Sequence, residues 1–288
     1  MTSEGVFVVP AKPSQAVPLE IEPESLLGLA TACQDEIGRL LSSDGWLETE
    51  PVHDVRVLSK RLRAWWRLWR QTDFKPLAVQ ANQQLRQLSG LLSETRDAQV
   101  LPLLCYSLAS RWQGGELAAA IPSLLRLGCW LERLPLTIEQ PDKLRLLDLL
   151  AQQAALMLPL QWPSDFGLEQ ALGGSDERQQ RAAKIALAQQ QAAVFHYWRK
   201  RVKVRYYQGQ MLASIGLSVP CTEQLQFKKL AAKLGDIHDL DNLLQWLPAL
   251  KPPNMNQAEQ TVLQDALLRY RQLQVGNLVG NYVSGVDY

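Results

Sequence analysis

Apolar residues along most of this chain recur at intervals of three and four positions, the spacing that puts them on one face of an α-helix. Strand-like alternation of apolar and polar residues is absent after residue 10. The pattern predicts helices near residues 24–43, 52–71, 75–93, 95–113, 117–133, 142–158, 177–213, 222–234, 236–249 and 257–280. A break is expected at Gly173-Gly174. The predicted fold class is therefore all-α.

Two of the predicted helical segments are rich in positive charge. Residues 52–71 contain six basic residues and one acid, and residues 194–210 contain five basic residues and no acid. The whole chain nevertheless balances 30 Lys and Arg against 29 Asp and Glu. In the first segment one helix edge carries Arg56, Lys60, Arg63, Arg67 and Arg70. Like charges at this spacing repel each other, so an anionic partner is expected to offset the repulsion.

The aromatic residues of the first basic segment share its apolar face. Trp65 and Trp69 lie four positions apart, in register with the apolar positions before them. Together with Trp66 they could stack on bases, but at helical spacing they are expected to belong to the core.

The two basic segments share one pattern, which makes them an internal repeat. A histidine is followed three and seven positions later by basic residues, in His53-Arg56-Lys60 and in His196-Arg199-Lys203. Asp97 then follows His53 by 44 positions, and Asp239 follows His196 by 43. A duplicated helical unit predicts two helical bundles related by pseudo-two-fold symmetry, with the positive edges at a shared basic groove or pore.

The doubled H-x-x-R-x-x-x-K helix, followed by an R-D element at Arg96-Asp97, resembles the CHAD domain, the conserved histidine α-helical domain. The resemblance covers roughly residues 24–280. It implies paired helical bundles around a basic pore and binding of inorganic polyphosphate, often at polyphosphate granules. Residues 1–22 are expected to be a tail or linker, with a first repeat at about 23–114 and a second at about 115–288.

The resemblance and the basic rows together predict a set of polyphosphate-binding residues. They are His53, Arg56, Lys60, Arg61, Arg63, Arg67, Arg96, His196, Arg199, Lys200, Lys203, Arg205 and Lys229. Asp97 and Asp239 are expected to orient basic side chains, by ion pairing or as helix caps. Gln99 and His238 depart from the pattern of the family, so binding is expected to differ between the halves.

The histidines have two interpretations. His53 follows Pro51 near a predicted helix start, where it either donates a hydrogen bond to phosphate or packs against a carboxylate such as Asp97. His196 is expected well inside a longer helix. A metal site is not expected, because no short-range ligand spacing such as H-x-x-x-H is present.

The leading hypothesis is noncatalytic polyphosphate binding, with no enzyme activity and no cofactor. No phosphate-binding loop, nucleophile elbow or zinc-protease motif is present. Nucleic-acid binding through the same basic rows, a metal-dependent polyphosphate or triphosphate hydrolase, and a scaffold for an acidic protein are the alternatives. No signal peptide or membrane span is expected, and the predicted location is the cytoplasm. The resemblance adds polyphosphate granules as a site within it.

Overall fold

The computed structural model describes residues 23–113, 115–133, 142–161, 167–216, 221–250, 252 and 255–283. Within these ranges the secondary structure is helical, without a strand. The α-helices are α1 (Pro23–Ser42), α2 (Thr49–Trp66), α3 (Lys75–Leu91), α4 (Ser93–Arg111), α5 (Ile121–Arg133), α6 (Lys143–Ala155), α7 (Leu168–Gln189), α8 (Ala192–Ser214), α9 (Cys221–Trp246) and α10 (Gln257–Val283). Short 3-10 turns occupy Leu68–Gln71 and Ala118–Ala120. The predicted all-α fold is confirmed, and the predicted tail at residues 1–22 lies outside the described residues.

The tryptophans of the first basic segment form the centre of one hydrophobic core. Trp65 and Trp66 are fully buried and Trp69 is 3% exposed. Trp65 donates a hydrogen bond from Nε1 to the carbonyl of Leu26 at 2.8 Å, which fixes α2 to α1. The prediction that these rings belong to the core is confirmed. The basic residues of α2 are consequently turned toward the opposite side of the helix.

The two basic helices lie side by side. α2 packs against α1, α3 and α8, while α8 packs against α7, α9 and α2. Gln208 of α8 donates a hydrogen bond to the carbonyl of Ala64 in α2 at 3.0 Å. A second apolar cluster packs α8 against α7, α9 and α10. A third joins α4, α5, α9 and α10. The core thus holds α2 and α8 in direct contact, whereas the pseudo-two-fold relation between the halves stays a prediction.

The predicted single helix over residues 177–213 is wrong, because the chain forms α7 and α8 there. Gln190 adopts φ 51°, in the left-handed region, and its N–H donates to the carbonyl of Ala186. This geometry ends α7, and α8 begins at Ala192. Glycine usually occupies such a position, so the sequence carries no strong stop signal at Gln190.

The predicted break at Gly173-Gly174 is also wrong, since both glycines lie inside α7. A Cβ built on Gly174 would lie 1.6 Å from Nε2 of Gln71, so this glycine permits close packing of α7 on the 3-10 turn Leu68–Gln71. Likewise, the predicted helices 222–234 and 236–249 are one helix, α9, which ends at Trp246.

No candidate for a membrane-spanning helix is found in the described ranges, because their helices are too short or too polar.

Candidate functional site

A cavity of about 380 Å³ lies among α2, α4, α8 and α9, with basic side chains on much of its wall. Among the described residues that line it, seven are Lys or Arg: Arg56, Lys60, Arg63, Arg67, Arg199, Lys200 and Lys203. The histidines His53, His196 and His238 line it as well, and so does one carboxylate, Asp239. α4 and the end of α9 add an apolar wall that includes Leu101, Leu104 and Trp246. The two basic helices therefore contribute to one cavity.

The two histidine motifs occupy the same position in their helices. His53 is the fifth residue of α2 and His196 is the fifth residue of α8. The expectation that His196 lies well inside a longer helix is wrong, because Gln190 ends the preceding helix. The basic residues three and seven positions after each histidine all line the cavity.

Burial and mutual repulsion disfavour the charged forms of several lining cations. Burial, followed by repulsion from Arg86 and Arg201, lowers the pKa of Arg63 to about 10. Burial and repulsion from Arg199 lower the pKa of Lys203 to about 8. Burial and four neighbouring guanidinium groups lower the pKa of Arg67 to about 9. An anion inside the cavity would reverse these effects by restoring favourable interactions to the charged forms.

Asp239 lies among the cations of α8. Attraction to its carboxylate partly offsets the lowering, mainly by burial, of the pKa values of Arg199 and Lys203. Its predicted orienting role is consistent with this position and stays a prediction. Arg96 and Asp97 are in the first turns of α4, but their side chains lie outside the described part of the chain.

His196 and His238 form a close pair at the cavity wall. Their Nδ1 atoms are 3.0 Å apart, and their ring centroids are 4.2 Å apart. Nδ2 of Asn242 lies 3.4 Å from Nε2 of His238, so the network assigns the proton of His238 to Nδ1, which donates to Nδ1 of His196. His196 then carries its own proton on Nε2, as a hydrogen-bond donor.

The pair is neutral near pH 7. Burial, together with repulsion from Lys200 and Arg199, lowers the pKa of His196 to about 4. Burial, followed by repulsion from Arg199 and its other cationic neighbours, lowers the pKa of His238 to about 3.

Acidification is expected to destabilise the ligand-free chain. A histidine binds protons below its ordinary pKa of about 6.5 in the unfolded chain, but only near pH 3 to 4 in the folded chain. The free energy of unfolding should therefore fall as the pH decreases from about 6.5 to about 4, by at most about 2 kcal/mol per histidine because both side chains are partly exposed. Denaturant unfolding at pH 7 and pH 5 measures this loss. His238→Gln should lose less stability than wild type over the same interval, and an equal loss in both proteins would contradict the assignment.

Arg205, predicted as a binding residue, is engaged elsewhere. It is 5% exposed and forms ion pairs with Asp176 and with Glu223, the latter at 2.9 Å, while its guanidinium lies 5.5 Å from the centroid of the Phe227 ring. Arg205 follows His196 by nine positions, whereas Arg63 follows His53 by ten. One position rotates a side chain by about 100° around a helix. Arg205 therefore packs among α7, α8 and α9 and does not line the cavity.

Arg61 and Lys229 are also predicted binding residues that do not line the cavity. Arg61 is partly buried and lies near Tyr207, where its charge opposes the rise in the tyrosine pKa that burial causes. Lys229 is exposed on α9.

Several residues of the site are not predicted by the sequence pattern. The sequence places His238 in the second repeated element, where it departs from the family pattern, but it does not predict the pair with His196. Tyr207 and Trp246 also line the cavity. The signal that points to His238 is the rarity of histidine, since all three histidines of the chain lie in the repeated elements.

Comparison with known proteins gives one family and one fold. The family model described as the CHAD domain matches residues 31–248. Among solved structures, the crystal structure of the CHAD domain from the plant Ricinus communis matches with a TM-score of 0.60 and 18% sequence identity, over 96% of this chain and 97% of that chain. At this identity the structural match establishes a shared fold. A search of curated proteins found no significant match.

Proposed function

The chain belongs to the CHAD domain family, and from that premise we propose that it binds inorganic polyphosphate, without catalysis, in the cavity between α2 and α8. One observation carries the proposal. Seven Lys and Arg side chains line the cavity, against the single carboxylate of Asp239 among the described lining residues.

The chemistry of the ligand fits such a wall. Linear polyphosphate carries about one negative charge per phosphate and has no base edges, so rows of cations bind it without reading a sequence. Arginine can donate two hydrogen bonds to one phosphate, while lysine acts as a mobile point charge. Bound phosphates would also relieve the repulsion that lowers the pKa values of Arg63, Arg67 and Lys203.

The noncatalytic part of the proposal rests on the kind of groups that the cavity offers. Lysines and arginines hold a phosphate chain in place, whereas hydrolysis also needs an activated water, which phosphate-cleaving enzymes commonly obtain with a metal ion. Incubation with polyphosphate and Mg²⁺ or Mn²⁺ tests this part. Enzymatic release of phosphate above the protein-free rate would overturn it.

Binding should strengthen with chain length and weaken steeply with salt. Because each neutralised phosphate releases a counterion, log K should fall linearly with log salt concentration, with a slope of about −5 if all seven lining cations are engaged. Calorimetric titration with polyphosphates of graded length, at several salt concentrations, measures both effects. Absence of binding at low salt would overturn the proposal.

Competition with nucleic acid tests the choice of ligand. Single-stranded RNA at equal phosphate concentration should displace little bound polyphosphate, because its bases widen the chain and its charges are further apart. Full displacement would instead support general polyanion binding.

In a cell, the proposed binding would bring a fluorescently tagged chain to polyphosphate granules.

A further inference from the structure

A second group of arginines lies outside the cavity, near Arg67 at the C-terminal end of α2. Its members come from the 3-10 turn, α3, α7 and α8, and they are Arg70, Arg86, Arg178 and Arg201. None of the four lines the cavity. We call this group the outer arginine cluster.

Close packing brings the members of the outer arginine cluster together. Gly174 lets α7 approach the 3-10 turn, and a Cβ at Gly174 would lie 3.4 Å from Nη2 of Arg178. Burial and then repulsion from Arg201 and Arg70 lower the pKa of Arg178. Burial also lowers the pKa of Arg201; the Tyr197 side chain opposes this effect, and Arg70 and Arg86 add to it. Charges that perturb each other in this way share one small region.

These arginines are not neutralised as others in the chain are. In the part of the chain that the structure describes, no ion pair involves any of the four. Buried nitrogens without a hydrogen-bond partner there include Nε of Arg70, Nη2 of Arg178 and Nε of Arg201. Arg201 lies 4.5 Å from the centroid of the exposed Tyr197 ring, which supports the flat guanidinium, and the Tyr197 side chain also favours its charged form. Tyr197 and the exposed Glu177 attract Arg178 and oppose the lowering of its pKa.

Arg63 and Arg67 connect the outer arginine cluster to the cavity. Both line the cavity. Arg67 is repelled by three members of the cluster, and Arg63 is repelled by Arg86 and Arg201. Positive charge is therefore continuous from the cavity to the cluster.

We propose that the outer arginine cluster is a second anion subsite, which holds the part of a polyphosphate chain that extends from the cavity past Arg63 and Arg67. This inference rests on the proposed function. The guanidinium groups of the cluster come from separate helical elements and lie in one region. They can therefore donate hydrogen bonds to successive phosphates of an extended chain. The cavity alone would bind a short chain, and the subsite would add affinity only for chains long enough to reach it.

The test compares short and long ligands on matched variants. Arg178→Gln with Arg201→Gln removes two charges from the cluster, and Lys184→Gln with Arg269→Gln removes two exposed charges outside it. The cluster variant should weaken binding of long-chain polyphosphate at least about tenfold while it changes the Kd of triphosphate less than about twofold. The control variant should change neither by more than about twofold. Isothermal titration of wild type and both variants with each ligand, at fixed salt, measures the six Kd values.

The outcomes separate the two proposals. If wild type binds neither ligand, the proposed function fails. If wild type binds both and the cluster variant keeps its full long-chain affinity, or loses both ligands equally, the second subsite is overturned. Arg86→Gln, an exposed substitution on α3, provides a variant that should fold normally and should weaken long-chain binding in the same direction. An unchanged long-chain Kd in Arg86→Gln together with an unfolded double variant would also count against the subsite.

Discussion

Replacement of Arg63 and Lys203 with glutamate is expected to weaken polyphosphate binding by more than about 1,000-fold. The two residues come from α2 and α8, and both line the cavity. A hydrogen bond to a charged group contributes about 1.5–3 kcal/mol, so the loss of two corresponds to about 100-fold to 10,000-fold, and the new negative charges add repulsion. Retention on immobilised polyphosphate and titration at fixed salt both measure the change.

The matched control is Lys184→Glu with Arg269→Glu, which makes the same charge change on exposed side chains of α7 and α10. It should reduce affinity only through long-range electrostatics, by less than about tenfold at physiological salt. The double variant of the cavity should stay folded, because the introduced carboxylates face Arg199 and Arg67 and lessen the existing repulsion. Wild-type affinity in that folded variant, or equal losses in both variants, would show that the ligand binds elsewhere.

Some arginines of the chain are paired with carboxylates, whereas Arg63 and Arg67 have other arginines as their charged neighbours. This difference is the physical basis for expecting an anion beside Arg63. Arg126 pairs with Glu259 at 2.6 Å, and Arg271 pairs with Asp241. With nearly equal numbers of acidic and basic residues, carboxylates are available to neutralise every arginine. Around Arg63 and Arg67, the neighbours that perturb the pKa values are other arginines. Such an accumulation opposes folding of the ligand-free chain, and a bound polyanion would offset that effect.

Periodicity predicted the parts of the fold and the site that depend on a single helix. Trp65 and Trp66 were assigned to the core because they share an apolar face, and they are fully buried. Residues at matched offsets from His53 and His196 were assigned to one site, and they line one cavity. In both cases the direction of a side chain follows from its position along one helix.

Features that depend on contacts between helices could not be predicted in this way. His196 and His238 are 42 residues apart, and only the packing of α8 on α9 brings their rings together. Gln190 adopts a left-handed conformation although it is not a glycine, and neither glycine nor proline lies beside it. The sequence therefore does not predict the end of α7. Arg178 and Arg70 interact because Gly174 lets α7 approach the 3-10 turn, whereas the sequence pattern predicts a helix break at the same glycine.

Arg205→Met is expected to lower the free energy of unfolding by about 2–3 kcal/mol while polyphosphate binding stays within about threefold of wild type. The substitution leaves Asp176 and Glu223 beside a buried apolar side chain without their shared cation. Removing one partner of a buried ion pair destabilises a protein by about 3–5 kcal/mol, and the partial exposure of both carboxylates reduces this value. Chemical denaturation measures the loss of stability.

A triple variant distinguishes the ion-pair role of Arg205 from simple loss of packing. Adding Asp176→Asn and Glu223→Gln to Arg205→Met should recover part of the stability, because no unpaired carboxylate remains near the methionine. Lys203→Met, two residues earlier on α8, should show the opposite behaviour, with weakened binding and nearly unchanged stability, since burial and Arg199 already disfavour its charge. If Arg205→Met instead lost binding and kept its stability, Arg205 would belong to the ligand site despite its two carboxylate partners.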